Sequence, residues 1–550
     1  MIHRLVFLLM ALFSSIFVSS QNIEGAKNFI YYERWISAEK TLKEIIAKED
    51  VSPDAYYWLG EVYMNNKDYK DAKNIFQNGI KMAAEKGYSF AKSPLIYIGM
   101  AHWKLSQGLK EEALGEMKNI LDASKDKNAA ALLAAAKANI ENENGNIKQA
   151  IDWLKIAIKK EKDNPEIYAA MGDAYRKFSD GSNAYKFYRE ALNIRPTFAE
   201  AHHKMGEIFK TQKSPDEFIK EFTEALKADP KYSPSMYELY YYYFYKGDFR
   251  LAKEYLDHYI LNSDPSIQNE YRKADLFYVT KNYPEAINTA KAVITKEGDN
   301  AKPRIYKMLA YCYNELGDSV SALQSISDYF KFAKEGDYVT KDFELRANLL
   351  EKNEFQGKAV AWYEKALTRA DKEGQKEKYM RKIAKLLKAT KDYENESKWR
   401  ERIYTEVKSS NNVDLFNWGL SLYFSGNYKR ADSVFGLYAE KYPKQLYGYL
   451  WRARCNVAID TSMELGLAVP HYEKFIEVAK ADSIANRKTL IAAYSYLGAY
   501  EANIHKDYVK ALDYFERVLG IDQTNENALR VSEVLKKWMD KKKDKNNTSS

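Results

Sequence analysis

The sequence has few residues that interrupt helices. Its 550 residues include only 24 glycines and 12 prolines, whereas 46% are hydrophobic and 29% are charged. Glycine and proline tend to end or kink helices, so their scarcity predicts a mostly helical chain. The hydrophobic content is high enough to build packed cores, which excludes a chain that is disordered throughout.

Cysteine is almost absent, with only Cys312 and Cys455. A small secreted scaffold held together by disulfides would contain many more, so that class of protein is excluded. The two cysteines follow Ala310 and Ala453 by two residues, within comparable helical segments. This position predicts that each is a small buried side chain, and the helical layers between them argue against a mutual disulfide.

Sequence motifs of catalysis are missing as well. No phosphate-binding G-x-x-x-x-G-K-[ST] or G-x-G-x-x-G occurs, and no zinc-binding H-E-x-x-H occurs. His202 and His203 are adjacent, but neighbouring side chains on a helix point about 100° apart, which makes a shared metal ion difficult. We therefore expect no catalytic residue, no metal site and no cofactor. The net charge of +8 is too small to indicate a nucleic-acid partner.

An apolar run at the start of the sequence predicts export. His3 and Arg4 precede LVFLLMALFSSIFV, and small residues precede Gln21. This order is typical of a signal peptide, here residues 1–20, that is removed near Gln21. The signal resembles those of Gram-negative Bacteroidota, so we expect a periplasmic protein, free or peripheral to the outer membrane, with secretion as the second choice. No later apolar stretch reaches about 18 residues, so we expect no transmembrane segment in the mature chain.

A repeat of 34 residues runs through the middle of the chain. Comparable segments begin at Met171 (MGDAY), Met205 (MGEIF) and Leu239 (LYYYY), and Pro196 and Pro230 are also 34 residues apart. Each segment is followed by a second amphipathic segment, such as NAYKFYREAL. This period indicates pairs of helices that stack on one another, because one pair alone cannot bury its apolar face.

The pattern resembles the tetratricopeptide repeat (TPR), in which a large apolar residue and a glycine precede an aromatic residue, and proline ends the second helix. The resemblance implies that Gly172 and Gly206 allow the two helices of a pair to approach closely, with Ala184 opposite Gly172. Tyr175 and Phe209 would fill the groove between successive helices. Weaker copies extend in both directions, which implies an all-α fold, an α-solenoid of about 14 antiparallel helix pairs in a right-handed superhelix.

Two polar stretches mark places where the array of repeats could be interrupted, EGDNAKP at 297–303 and VKSSNNVD at 407–414. We predict an N-terminal TPR array over residues 21–300 and a C-terminal TPR array over residues 301–525, either separate or continuous with the first. Residues 526–550 are predicted to be the end of a helix and a lysine-rich tail.

The stretch YELYYYYFYKGDF, residues 237–249, is unusually rich in tyrosine. The register of the repeat assigns Leu239, Tyr242 and Tyr243 to the core, and it places Tyr240 where the family has Gly or Ala. We therefore expect the Tyr240 ring to push the two helices of this unit apart. A second stripe of the same helix contains Tyr237, Tyr241, Phe244 and Tyr245.

In proteins that resemble this one, the second stripe lines the inner, concave surface, where the two preceding units have mostly polar residues. The following unit adds Tyr271 and Tyr278 to the predicted surface. A further apolar stripe comprises Phe416, Leu420, Tyr423 and Phe424. Three interpretations remain open. The rings pack within the protein, either as the superhelix closes on itself or within the layer of helices; they bind a partner's peptide or helix; or they bind carbohydrate.

The resemblance implies a non-enzymatic scaffold or adaptor for protein–protein interactions in the bacterial envelope. A partner's peptide or protein would lie in the concave groove, within a secretion or outer-membrane assembly complex. The alternative is a glycan-binding or accessory protein of a carbohydrate-utilisation system. Affinity for a soluble oligosaccharide would favour the alternative, whereas co-purification with other proteins would favour the scaffold.

Overall fold

The computed structural model describes residues 23–48, 51–124 and 128–547. Within these residues all regular structure is helical, and no β-strand occurs. The helices of this part of the chain pack consecutively as fourteen pairs followed by one last helix, so the expected α-solenoid is confirmed. None of the described helices is both long enough and apolar enough to cross a lipid bilayer. The predicted signal peptide, residues 1–20, lies outside the described residues.

The chain divides into two compact units, and the first ends at Glu297. Its helices in the described residues are α1 (23–31), α2 (Trp35–Ile46), α3 (Pro53–Asn65), α4 (Tyr69–Glu85), α5 (Pro94–Ser106), α6 (Lys110–Ala123), α7 (Ala129–Glu141), α8 (Ile147–Lys160), α9 (Pro165–Lys177), α10 (Gly181–Ile194), α11 (Ala199–Thr211), α12 (Pro215–Ala228), α13 (Ser233–Lys246), α14 (Phe249–Asn262), α15 (Ile267–Val279) and α16 (Tyr283–Glu297). In each pair the odd-numbered helix is called the A helix and the even-numbered one the B helix.

The second unit begins at Gly298. Its described α-helices are α17 (Arg304–Glu315), α18 (Ser319–Phe332), α19 (Thr340–Lys352), α20 (Gln356–Thr368), α21 (Glu373–Ala389), α22 (Tyr393–Glu406), α23 (Asn412–Phe424), α24 (Tyr428–Lys441), α25 (Leu446–Ile459), α26 (Val469–Ala479), α27 (Arg487–Tyr500), α28 (Tyr508–Ile521) and α29 (Glu526–Asn547). Short 3₁₀ turns lie at Gly298–Asn300, Glu335–Asp337 and Lys480–Asp482, and a π-helical turn spans Glu501–His505. The lysine-rich stretch continues α29 as helix to Asn547.

The turn between the A and B helices repeats with the period of the sequence. Ser179, Lys213, Gly247 and Lys281 follow one another at intervals of 34 residues, and each has a φ between +57° and +84°. A residue in this left-handed conformation ends the A helix and lets the chain reverse within a few residues. The B helix α10 then begins at a cap, because the Asp180 side chain accepts a hydrogen bond from its first turn.

Several pairs are packed through a glycine that lies against an aromatic ring. A Cβ atom at Gly172 would lie 2.4 Å from the Tyr188 ring, so no side chain fits there. The Tyr188 ring of α10 therefore lies against Gly172. The same arrangement recurs at Gly60 with Phe76, Gly206 with Phe222, and Gly419 with Phe435.

In the pair formed by α13 and α14, the large residue is on the A helix and the smaller one is on the B helix. Tyr240 occupies the glycine position, and the residue sixteen positions later is Leu256, where the other units have an aromatic ring. Both side chains are buried in one cluster, and the two helices remain packed together. The expectation that Tyr240 pushes the helices apart is wrong, because the smaller leucine makes room for the ring.

The turn between α1 and α2 and the first residues of α2 contact residues of the first unit that follow 197 to 230 positions later. The backbone N–H groups of Ile36 and Ser37 donate to the Asp264 carboxylate at 2.7 and 3.1 Å, so Asp264 caps α2 from a distant part of the chain. The Tyr32 hydroxyl donates to the Asp229 carboxylate at 2.8 Å. The first unit thus closes on itself through its N-terminal helices.

Cys312 and Cys455 are both buried, as predicted, and their thiols are free. Burial raises the pKa of Cys312 to about 11 and the pKa of Cys455 to about 12. Both thiols therefore stay protonated at neutral pH and act as small apolar side chains of the core.

Candidate functional site

An open cleft lies beside α13, and tyrosine rings form much of its surface. Tyr241 is 45% exposed and Tyr245 is 71% exposed. Their ring centroids are 4.6 Å apart, so the two rings form one continuous apolar surface. The cleft has a volume of about 460 Å³ and is bounded by Lys210, Phe218, Glu238, Tyr241, Tyr242, Tyr245 and Lys246. We call it the α13 cleft.

Two rings from different helices form an apolar wall of this cleft. Phe218 of the B helix α12 meets Tyr242 of α13 edge to face, with ring centroids 5.1 Å apart. The Lys246 ammonium lies 5.3 Å from the centroid of the Tyr242 ring. Tyr242, predicted to lie in the core, is partly buried against the core cluster that contains Phe222 and Leu239, and the rest of its ring borders the cleft. The equivalent residue of α9 is the small, buried Ala174, and a tyrosine ring extends beyond that space.

The other core assignments of this helix also fit the structure. Leu239 is fully buried, as predicted. Tyr243 is partly buried and stacks against Tyr255 of α14, with ring centroids 5.7 Å apart and the ring planes nearly parallel. Both side chains therefore pack within the protein, and neither borders the cleft.

Only part of the predicted stripe faces the cleft. We call the four predicted rings the α13 stripe: Tyr237, Tyr241, Phe244 and Tyr245. The Arg272 guanidinium lies 4.9 Å from the centroid of the Tyr237 ring, and Tyr259 packs beside the same ring at 5.3 Å. Phe244 packs against Tyr240, with centroids 5.8 Å apart. These two rings are thus engaged within the protein, while the other two border the cleft.

The two aromatic residues predicted to extend the surface along α15 lie elsewhere. Tyr271 is fully buried, and its hydroxyl donates a hydrogen bond of 2.6 Å to the Glu297 carboxylate. Its assignment to a partner-binding surface is wrong, because its ring lies between α15 and the end of α16. Tyr278 is partly buried with its ring centroid 6.2 Å from that of Tyr283, and it does not border the α13 cleft.

A polar hollow of about 410 Å³ lies next to the cleft, under the α1–α2 turn. Glu33 of that turn, His203 of α11 and Arg272 of α15 border it, and Glu238 borders both hollow and cleft. His203 Nδ1 lies 3.1 Å from the Ser235 hydroxyl oxygen. Burial lowers the pKa of His203 to about 4, so its imidazole is neutral at neutral pH.

The predicted stripe of the second unit lies on α23, and we call it the α23 stripe: Phe416, Leu420, Tyr423 and Phe424. The next A helix, α25, places Trp451 against it, with ring centroids 5.0 Å from Tyr423 and 6.2 Å from Phe424. Phe416 lies 6.4 Å from the same ring, and Leu420 is partly buried in this cluster. Phe424 remains 53% exposed. Most of the α23 stripe is therefore packed within the protein.

Charged side chains of α9, α11 and α13 form ion pairs between successive A helices. Arg176 of α9 pairs with Glu207 of α11, and Lys210 of α11 pairs with Glu238 of α13. Ion pairs of this kind make the surface polar where they lie. The exposed rings of the α13 cleft instead leave apolar area in contact with solvent, which is a feature of interaction sites.

The register of the repeat pointed to the A helix alone and missed the other walls of the cleft. Phe218 lies on a B helix, and Lys210 lies one repeat earlier than the tyrosines. A signal was present in the segment DEFIKEFTEAL, where Phe218 and Phe222 are four residues apart on one helix face. Phe222 fills the core below Gly206, and Phe218, which is also buried, borders the cleft.

Comparison with known families finds tetratricopeptide repeats in the first unit. Models described as tetratricopeptide repeat match residues 53–86, 165–198 and 199–232, and one described as TPR repeat matches residues 138–177. No protein of curated function matches the sequence. The chain therefore contains tetratricopeptide repeats, a fold that is typically a non-catalytic module for binding proteins or peptides.

Solved structures with similar repeats come from several bacteria. The C-terminal part of a TPR repeat-containing protein from Cytophaga hutchinsonii is 29% identical, and the match covers 48% of this chain and 98% of that chain with a TM-score of 0.32. A tetratricopeptide repeat protein from Parabacteroides merdae is 18% identical. The match covers 47% of this chain and 98% of that chain, with a TM-score of 0.29. A protective antigen of uropathogenic Escherichia coli with an SLR fold is 15% identical. The match covers 76% of this chain and 90% of that chain, with a TM-score of 0.36.

Proposed function

We propose that the protein is a non-enzymatic interaction scaffold that binds a peptide segment of a protein partner in the α13 cleft. The observation that carries this proposal is the exposed pair Tyr241 and Tyr245 beside the apolar wall of the cleft. Aromatic anchors dominate many interfaces, because a rigid ring buries a large area at a small cost in conformational entropy.

The edges of the cleft favour a partner segment that combines an apolar anchor with a carboxylate. The anchor would lie against Tyr241, Tyr245 and Phe218. Lys246 is exposed at the same cleft, beside the Tyr242 ring. Its ammonium can reach an acidic side chain or a C-terminal carboxylate of the partner and fix the direction of the segment.

A photo-crosslinking amino acid in place of Tyr245 tests the site in the native host. We expect crosslinks to one defined protein from this position and not from position 484, where Ile484 is an exposed apolar residue of the second unit. A synthetic peptide from the crosslinked region should bind the purified protein. Tyr241→Ala should weaken that binding about 30-fold, since a truncated aromatic anchor costs about 2 kcal/mol. Equal crosslinking at both positions, or unchanged peptide affinity, would contradict the proposal.

We further propose that the protein works in the periplasm of a Gram-negative bacterium of the Bacteroidota, as part of a secretion or outer-membrane assembly complex. The basic start, the apolar run and the small residues before Gln21 support export. N-terminal sequencing of the protein from a periplasmic extract should give Gln21 as the first residue. An intact chain that begins at Met1 in the cytoplasmic fraction would contradict this location.

Carbohydrate binding is the second candidate function, and the large exposed face of Tyr245 favours it. Exposed aromatic faces can stack against the apolar faces of sugar rings. Calorimetric titration with soluble oligosaccharides separates the two functions. Saturable binding that Tyr245→Ala abolishes would support the carbohydrate function over the scaffold.

A further inference from the structure

A histidine and two glutamates from three successive A helices meet in the first unit, away from the α13 cleft. They are Glu61 of α3, His102 of α5 and Glu141 of α7. One ligand atom from each residue lies within 4.8 Å of the other two. Among the described residues this is the one such group of three His, Cys, Asp or Glu side chains.

The histidine of this group is held in a fixed orientation. His102 is 5% exposed, and its Nδ1 lies 3.2 and 3.1 Å from the two carboxylate oxygens of Glu61. Two ligands of a tetrahedral zinc ion are separated by about 3.3 Å, given bonds of about 2.0 Å. The distance between His102 Nδ1 and the Glu61 oxygens is therefore compatible with both residues binding one ion. Both residues lie on packed helices, which keep this distance fixed.

The third residue completes the donor set from a more accessible position. Glu141 is the last residue of α7, and its side chain is exposed. A rotation about its side-chain bonds can bring its carboxylate closer to the other two donors. A metal ion binds the neutral form of an imidazole, and the two carboxylates beside it would then carry a charge of −2, which a divalent cation would offset.

Two other histidine–glutamate pairs in the described residues lack a third ligand and serve as a comparison. His202 Nδ1 lies 2.7 Å from the Glu221 carboxylate, and His505 Nδ1 lies 2.8 Å from the Glu501 carboxylate. Each is an ion pair or hydrogen bond between two groups, and neither forms part of a group of three within the described residues.

We propose that Glu61, His102 and Glu141 form a binding site for a divalent transition-metal ion, of which zinc suits the donors best. Imidazole nitrogen favours zinc over magnesium or calcium, and carboxylates are common zinc ligands. Three protein ligands leave one position of a tetrahedral ion open. That position would accept water or a donor atom from a bound partner.

Calorimetric titration of the full chain with zinc chloride tests the site, and cobalt absorption reports its geometry. The wild-type protein should bind one equivalent of zinc, and cobalt should give the visible bands of a four-coordinate site. Glu141→Gln is expected to lower the zinc affinity at least about tenfold, because it removes a ligand at an exposed position. Glu143→Gln is the matched control, because Glu143 lies two residues further along the chain and is also exposed. This variant should bind zinc like the wild type.

His202→Gln is a second control, because it alters a histidine that belongs to a pair rather than to the group of three. It should leave zinc binding unchanged, and Glu61→Gln should weaken it as Glu141→Gln does. Circular dichroism verifies that each variant is folded. Unchanged zinc affinity in Glu141→Gln, or an affinity of the wild-type protein no higher than millimolar, would overturn the proposal.

Discussion

The α13 stripe and the α23 stripe occupy the same positions of their repeats, yet their surroundings differ. In the second unit, α25 follows α23 and brings the Trp451 ring against Tyr423 and Phe424. In the first unit, α15 follows α13 and brings Arg272 against Tyr237, which leaves the cleft open further along the helix. The position in the repeat thus sets the direction of a side chain, and the next A helix decides whether that side chain is covered.

Exchanging the core position that differs between the two helices is expected to have the largest effect. Gly419 of α23 corresponds to Tyr240 of α13, and a Cβ atom at Gly419 would lie 2.7 Å from the Phe435 ring. Gly419→Tyr should overpack the pair of α23 and α24 and lower the free energy of unfolding by about 3 kcal/mol or more. Thermal unfolding followed by circular dichroism measures this loss as a lower Tm.

The matched control copies the combination that α13 and α14 already contain. Phe435→Leu, added to Gly419→Tyr, reproduces the pairing of Tyr240 with Leu256. The smaller leucine should restore a large part of the lost stability, because it makes room for the tyrosine ring. A double variant that is no more stable than Gly419→Tyr would show that the exchange of sizes does not explain how Tyr240 fits.

A second prediction uses His203, which lies at the position of Tyr237 and Phe416, one repeat before α13. Its pKa is lowered by burial to about 4 from an ordinary value of 6.5. The unfolded state therefore binds more protons than the folded state between these pH values. Stability should be complete above pH 6.5 and fall by about 3 kcal/mol as the pH decreases to 4.

Unfolding at pH 7.5 and at pH 4.5 measures this dependence, and His203→Gln is the variant that should weaken it. Glutamine does not titrate, so the decrease in Tm between the two conditions should be smaller than in the wild type. His258→Gln is the control, since His258 is an exposed residue of α14. If the His203→Gln protein loses as much Tm as the wild type, other groups cause the pH dependence.

A third prediction concerns the removal of the ring that covers the α23 stripe. Trp451→Ala removes the ring that lies against Phe416, Tyr423 and Phe424. The cost should be about 2 kcal/mol, less than for a fully buried tryptophan, because the ring is partly exposed. The variant should also bind the dye ANS more strongly, since apolar rings become accessible to solvent. Trp538→Ala, at an exposed position of α29, should change neither quantity appreciably.

The sequence was sufficient to predict the helix pairs, because their period and glycine positions depend on local packing. Gly172 and Gly206 had to be small wherever an aromatic ring of the B helix lies against the A helix. Which ring of the B helix lies against the glycine, Tyr188 at Gly172, was not predictable from spacing alone. It depends on the rotation of the two helices about their axes, which only the packed structure fixes.

The candidate sites were predictable only in part. The register placed Tyr241 and Tyr245 on an exposed face, but it could not distinguish them from Tyr271, because the covering residues come from other helices. The group of Glu61 and His102 was hidden by irregular spacing. These residues are 41 positions apart rather than 34, since the unit between them has a longer B helix and connecting turn.

The smallest effect on stability is expected where the two stripes are most alike. Tyr245 and Phe424 occupy equivalent positions, and both rings are more than half exposed. Replacing either by alanine should change the free energy of unfolding by no more than about 0.5 kcal/mol, as is usual for surface positions. Their effects on binding should nevertheless differ, because only Tyr245 borders the α13 cleft in the proposed function.

Calorimetry with the peptide identified by crosslinking compares the two variants directly. Tyr245→Ala should weaken binding at least about tenfold, since it removes half of the exposed ring pair. Phe424→Ala should leave the affinity unchanged, although it removes a ring of similar size and exposure from an equivalent position. Equal losses in both variants would mean that the peptide recognises exposed aromatic rings in general. The proposal that the open α13 cleft is the binding site would then be wrong, because the covered α23 stripe would contribute as much.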